Sequence, residues 1–104
     1  MIAVRLRPEA EADLLEIALY IRESSPKRAR SLVAKLRKRC EILSRFPEAG
    51  RPRGEFGEGV RSLVEWPYVI LYTITDAENL DILAFLHGAR DLPAALAARL
   101  KSEG

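Results

Sequence analysis

One cysteine, one histidine and one tryptophan occur among 104 residues, and each scarcity excludes something. A lone Cys40 forbids an internal disulfide, and with His87 as the sole imidazole the chain has too few ligands for a protein-built zinc site. No run of eighteen apolar residues is present, so no segment reads as a membrane-spanning helix. The opening MIAVRLRPEAEAD has neither the basic start nor the long apolar stretch of a signal peptide. A reducing, cytoplasmic setting is therefore the expectation. Also missing are G-x-x-x-x-G-K-[ST], a G-x-G-x-x-G that opens a helix after a strand, the zinc-protease pattern and G-x-S-x-G. Nucleotide binding and those hydrolytic chemistries have no support, and no cofactor is expected. Carboxylates are scattered and form no pair suited to acid–base work.

What is present describes a folded chain. Hydrophobic residues make up 48% and charged residues 31%, too apolar a mixture for a disordered segment. The length leaves room for one domain, residues 1–104, because two would each lack a core. The net charge of +2 hides an asymmetry: residues 1–54 hold 13 Lys+Arg against 7 Asp+Glu, and residues 55–104 hold 4 against 8. Between Arg22 and Arg53 the count is 11 basic to 3 acidic. Such a block suits a polyanionic or acidic partner, and equally a solvated helix face.

Periodicity assigns the elements. Ile2, Val4 and Leu6 alternate with polar or small residues, as a short half-buried strand does. Pro8, followed by Glu9, Glu11 and Asp13, opens a first helix with acids at its N-terminus. Ala10, Leu14, Ile17, Ala18 and Ile21 share its apolar face, while Leu15 and Leu19 form a second strip beside it. Ser25-Pro26 reads as a cap and first-turn proline for a second helix running to about Arg45. There Ala29, Leu32, Val33, Leu36, Cys40 and Leu43 fall on one face, and Lys27, Lys38 and Arg45 point into solvent. Cys40 therefore reads as a packed thiol rather than a nucleophile.

With so short a connection, the two helices are expected to form an antiparallel hairpin. Residues 46–59, with four Gly and two Pro, read as an irregular loop. Three strands follow at Val60–Glu65, Tyr68–Thr75 and Leu80–His87, broken by Trp66-Pro67 and by the turn at residues 76–79. A short helix from Pro93 to about Lys101 closes the chain. The order predicts an α+β fold: a four-stranded, twisted, mostly antiparallel sheet covered on one face by the helical hairpin.

Four arginines stand off the helices: Arg51 and Arg53 in the loop, Arg61 in a strand, and Arg90 after the last strand. Meeting on the open face of one sheet, they would make a receptor for phosphates or carboxylates, which a guanidinium grips two contacts at a time. The alternative is local pairing, for example Arg90 with Asp91 or Arg61 with Glu65. His87, alone in its residue type, is more often a structural hydrogen-bonding group than a catalyst.

Taken in order, RLRPEAEADLLEIALYI, SPKRA, LSRFPEAGRPRGEFGEGVRSL, YVILYTI and ILAFLHGARDL resemble the ParE branch of the RelE/ParE toxin superfamily of bacterial type II toxin–antitoxin systems. The resemblance covers nearly the whole chain. It implies a growth-inhibiting toxin held inactive by a ParD-like antitoxin, whose DNA-binding part would be the only link to DNA and whose flexible acidic, amphipathic segment folds around the toxin. ParE toxins are associated with poisoning DNA gyrase, whereas RelE-type relatives cut mRNA on the ribosome. For the nuclease alternative Arg61, His87 and Arg90 are the candidate catalytic groups; no tyrosine follows the last strand, which favours an inhibitor that acts by binding. Leu15, Leu19, Arg51, Arg53, Arg61 and Arg90 are the expected antitoxin contacts.

Overall fold

The computed structural model describes residues 1–89 and 92–103. Strand β1 (Ala3–Leu6) runs into helix α1 (Pro8–Arg22), and α2 (Pro26–Ile42) returns antiparallel to it. Ser25 caps α2 as its sequence implies: extended itself, it accepts a hydrogen bond from the Arg28 amide at 3.2 Å. The helix ends at Ile42 rather than Arg45. The amides of Leu43, Ser44 and Arg45 turn back three residues to Cys40, Glu41 and Ile42, a tightened last turn.

Strands β2 (Arg51–Pro52), β3 (Val60–Glu65), β4 (Tyr68–Ile74) and β5 (Asn79–His87) complete a sheet in the order β1-β5-β4-β3-β2. The sheet thus has five strands, not four. The loop read as wholly irregular contributes an edge pair, Arg51 opposite Ser62 and Pro52 opposite Arg61, followed by a 3-10 turn at Gly54–Phe56. Two residues leave no periodicity to detect, so only the pairing reveals β2. β1 lies parallel to β5, and every other pairing is antiparallel.

Two apolar layers hold the sheet. Alternation along β4 sends Tyr68, Ile70 and Tyr72 to one side, where with Leu63, Ile82 and Phe85 they meet Leu14, Leu36, Cys40 and Leu43 of the hairpin side. Val69 and Leu71 go to the other side and pack with Phe56, Val60, Leu83, Leu86, Leu92 and Leu96. The register between β4 and β5 skips Leu83, a bulge that lets Leu83 and Ala84 both join this second layer. Helix α3 (Leu92–Glu103) supplies Leu92 and Leu96 there. The face expected to stay open is therefore roofed by the C-terminal helix, because β4 and β5 are apolar on both sides.

A buried carboxylate ties the layers. β1 stops at Leu6, opposite Ile82, so its pairing with β5 ends there. Asp13 of α1 reaches down, and its Oδ2 accepts from the Phe85 amide at 2.9 Å. Asp81 is held by Arg5 at 2.9 Å and Arg7 at 3.4 Å. Among the described residues no helix is long and apolar enough to cross a membrane.

Candidate partner-binding surface

Leu15 and Leu19 lie on the outer side of the helical hairpin, 61% and 44% exposed. They wall a groove of about 600 Å3 whose floor is made of Ala18, Ala29, Val33 and Ala34. Small side chains at the α1–α2 contact let the two leucines stand proud instead of interlocking with α2. Arg22, Arg30 and Arg37 rim the groove, and Arg37 is 3.0 Å from Glu11. These rim arginines were not among the residues nominated from the sequence. A signal did exist: Arg30, Val33 and Arg37 recur at i, i+3 and i+7, the spacing that puts charge beside an apolar stripe. Apolar walls, a small-residue floor and a cationic rim are the chemistry that receives an amphipathic acidic helix.

The arginines off the helices are placed otherwise. Arg61 stands beside Tyr72 on the hairpin side of the sheet. Its Nη1 donates to the Gly50 carbonyl at 2.6 Å and to the Glu48 carbonyl at 3.4 Å. It does not pair with Glu65, which lies 3.6 Å from Arg39. Arg51 and Arg53 fall on the opposite side with Ser62 and Val60. The Arg53 guanidinium stacks 4.3 Å over the Phe56 ring, donates to Ser62 Oγ at 3.2 Å and meets Glu55 at 3.1 Å. Hydrogen bonding from its own backbone amide and then from Arg53 holds the Glu55 carboxyl below the usual carboxylate range. Strand alternation, which sends neighbouring positions to opposite faces, thus separates Arg61 from Arg51 and Arg53. Arg90 lies outside the described residues. Leu15 and Leu19 sit above the hairpin and Arg53 below the sheet, so a partner touching both must wrap round the molecule.

The loop gripped by Arg61 is fixed by a second buried group. Tyr72 is fully buried; its hydroxyl donates to the Pro47 carbonyl at 2.7 Å and accepts from the Gly50 amide at 2.8 Å. Burial raises its phenol pKa above the ordinary value. A Cβ on Gly50 would sit 2.6 Å from the tyrosine ring and 2.7 Å from the Ser62 carbonyl, so this close approach requires glycine. The stretch F-P-E-A-G-R therefore reads physically as a loop threaded over a buried tyrosine and latched by an arginine.

The nuclease candidates are not assembled as one site by their described members. Arg61 and His87 lie on one face, but two strands and four residues apart, roughly 16 Å from strand geometry. His87 is exposed, packs edge-on against Tyr68 at 5.5 Å, and accepts from the Ala89 amide through Nδ1 at 3.1 Å. In the neutral ring that bond leaves the proton on Nε2. Cys40 is buried among leucines, which pushes its thiol up to about 12 and makes it a poor nucleophile. Among the described residues, no three of His, Cys, Asp or Glu stand together as a metal site.

Residues 4–92 match the family described as ParE toxin of type II toxin–antitoxin system, parDE. A Sinorhizobium fredii (strain NBRC 101917 / NGR234) protein named "Putative toxin Y4kP" is 30% identical over 81 residues, which is 78% of this chain and 82% of that protein. A solved structure described as "Chromosomal ParDE TA system from P. aeruginosa" shares the fold, with a TM-score of 0.70 at 23% identity over 84% of this chain and 96% of that one.

Proposed function

The chain belongs to the ParE toxin family of type II toxin–antitoxin systems, and on that premise we propose that it is a growth-inhibiting toxin, neutralised by a cognate antitoxin and acting by binding DNA gyrase. The observation that carries the antitoxin half is the hairpin groove: two exposed leucines over a floor of small residues, edged by Arg22, Arg30 and Arg37. An acidic amphipathic segment of a ParD-like antitoxin lays its apolar residues between Leu15 and Leu19 and its carboxylates on the rim. Continuing round the molecule, it reaches Arg51 and Arg53. Arg61 serves this surface indirectly, since its Nη1 holds the loop that carries Arg51. The gyrase half rests on family membership, and the dispersal of Arg61 and His87 supports inhibition by binding over cleavage.

Two measurements test this. The double variant Leu15→Ala/Leu19→Ala loses roughly 3 kcal/mol of apolar contact and should weaken antitoxin binding about 100-fold in calorimetric titration. An unchanged affinity would move the antitoxin off the hairpin. Regulated expression without the antitoxin should induce the DNA-damage response and accumulate cleaved gyrase–DNA complexes. Early collapse of translation with cut transcripts would replace gyrase with the ribosome, and unaffected growth would remove the toxin reading.

A further inference from the structure

Against the expectation that the antitoxin is the only link to DNA, we propose that the furrow between α2 and the β3–β4 turn is a separate binding site for single-stranded DNA, in which a base stacks on Trp66 and the flanking phosphates lie on cations of α2. Trp66 is 76% exposed at the turn, an unusual position for the largest apolar side chain in the molecule. Its ring lies close to Gly88. A Cβ on Gly88 would lie 3.5 Å from Trp66 Cζ3, and the Gly88 amide donates to the Pro67 carbonyl at 2.8 Å, so the indole rests on a glycine anchored beneath it.

Opposite the indole, α2 lines the furrow with Arg28, Ser31 and Lys35, and no carboxylate lines it. Among the described residues neither Arg28 nor Lys35 has an ion-pair partner. The acid beside Trp66 in the chain, Glu65, is engaged by Arg39. Arg28, Ser31, Lys35 and Arg39 recur at i, i+3, i+7 and i+11, one stripe about 16 Å long.

An aromatic face beside a line of cations is the arrangement that binds single strands, by stacking bases and tracking the backbone. A duplex hides its base faces and would leave Trp66 without a planar partner. An acidic peptide would use the cations alone. Two hydroxyls line the furrow, and of these Ser31 is exposed while Tyr68 is buried in its wall; no group is set aside for a ribose 2′-hydroxyl, so we take DNA as the occupant. On α2 this flank lies opposite the one bearing Arg30, Val33 and Arg37, so strand and antitoxin segment can be held at once.

Trp66 is the only tryptophan, so its emission reports the contact directly. Titrating the full chain with a thymidine oligomer of about ten nucleotides should quench that emission saturably. For two phosphate contacts, on Arg28 and Lys35, the affinity should fall roughly sevenfold between 50 and 200 mM salt. With a labelled oligomer read by anisotropy, Trp66→Ala should weaken binding between about 5- and 100-fold, and Trp66→Phe should restore most of it. Arg28→Gln/Lys35→Gln should weaken binding and flatten the salt dependence. All three side chains are exposed, so these variants keep the fold, as far-ultraviolet dichroism will verify. Saturation without quenching, equal binding of duplex, a tenfold preference for the matching RNA, or displacement of the strand by polyglutamate from the Trp66→Ala variant and the parent alike would each overturn the proposal. None of these outcomes bears on the affinity for the antitoxin, which tests the hairpin groove separately.

Discussion

Two sets of basic side chains share this molecule and live in opposite conditions. Around the β2–β3 edge, Arg61 is spent on backbone carbonyls and Arg53 on Ser62, Glu55 and the Phe56 ring. Along α2, Lys27, Arg28, Arg30, Lys35 and Lys38 are exposed, and among the described residues none has an ion-pair partner. The first set already holds contacts within the fold, whereas the second holds no ion pair among the described residues.

Breaking the internal set should have the largest effect. Gly50→Ala forces a Cβ into the Tyr72 ring and the Ser62 carbonyl, and should cost roughly 3 kcal/mol in urea unfolding, with loss of the loop's fixed conformation. A cost under 1 kcal/mol would mean that the loop yields freely. Tyr72→Phe removes the donor to Pro47 and leaves the buried Gly50 amide without its acceptor, a loss of about 2 kcal/mol by the same measurement.

Cys40 sharpens the buried side of the comparison through pH. Its thiol goes from an ordinary 9.0 to about 12 on folding, so the folded chain keeps a proton that the unfolded chain releases. Its contribution is full below pH 9 and declines as pH rises towards 12, by roughly 1.4 kcal/mol per pH unit. Cys40→Ala should flatten the fall of the urea midpoint between pH 9 and 11, and a slope equal to the parent's would show that the thiol is not desolvated. Smallest of all, Lys27→Ala and Lys38→Ala on the exposed ridge should each change stability by no more than about 0.5 kcal/mol. A larger loss from either would erase the distinction between the two sets.

Much of the fold could be read from the chain because the signals are local. Ser25-Pro26 marks the start of α2 at the residue where the helix begins, and the stripe Ala29–Leu36–Cys40–Leu43 is the face that becomes buried. Tyr68 to Ile74 announces a central strand by β-branched and aromatic content. Leu15 and Leu19 stood out because they left the main stripe, and they are indeed exposed. Four features were not legible. β2 is too short to have a period, and the skip at Leu83 appears only when β4 and β5 pair. Covering of the second face by α3 depends on a helix whose own amphipathic pattern is weak. The burden on Gly50 comes from a tyrosine 22 positions away.

Where the helices and strands lie, and which of their faces are apolar, is set by interactions among residues two to four positions apart and so is present in the chain before it folds. Which cations are consumed and which are offered is settled by packing. A guanidinium's availability is set by the carbonyls, rings and carboxylates brought to it, and for Arg61 the partners are Glu48 and Gly50, delivered by folding a loop over Tyr72. Charge is written in the chain, but its neutralisation is a property of long-range packing.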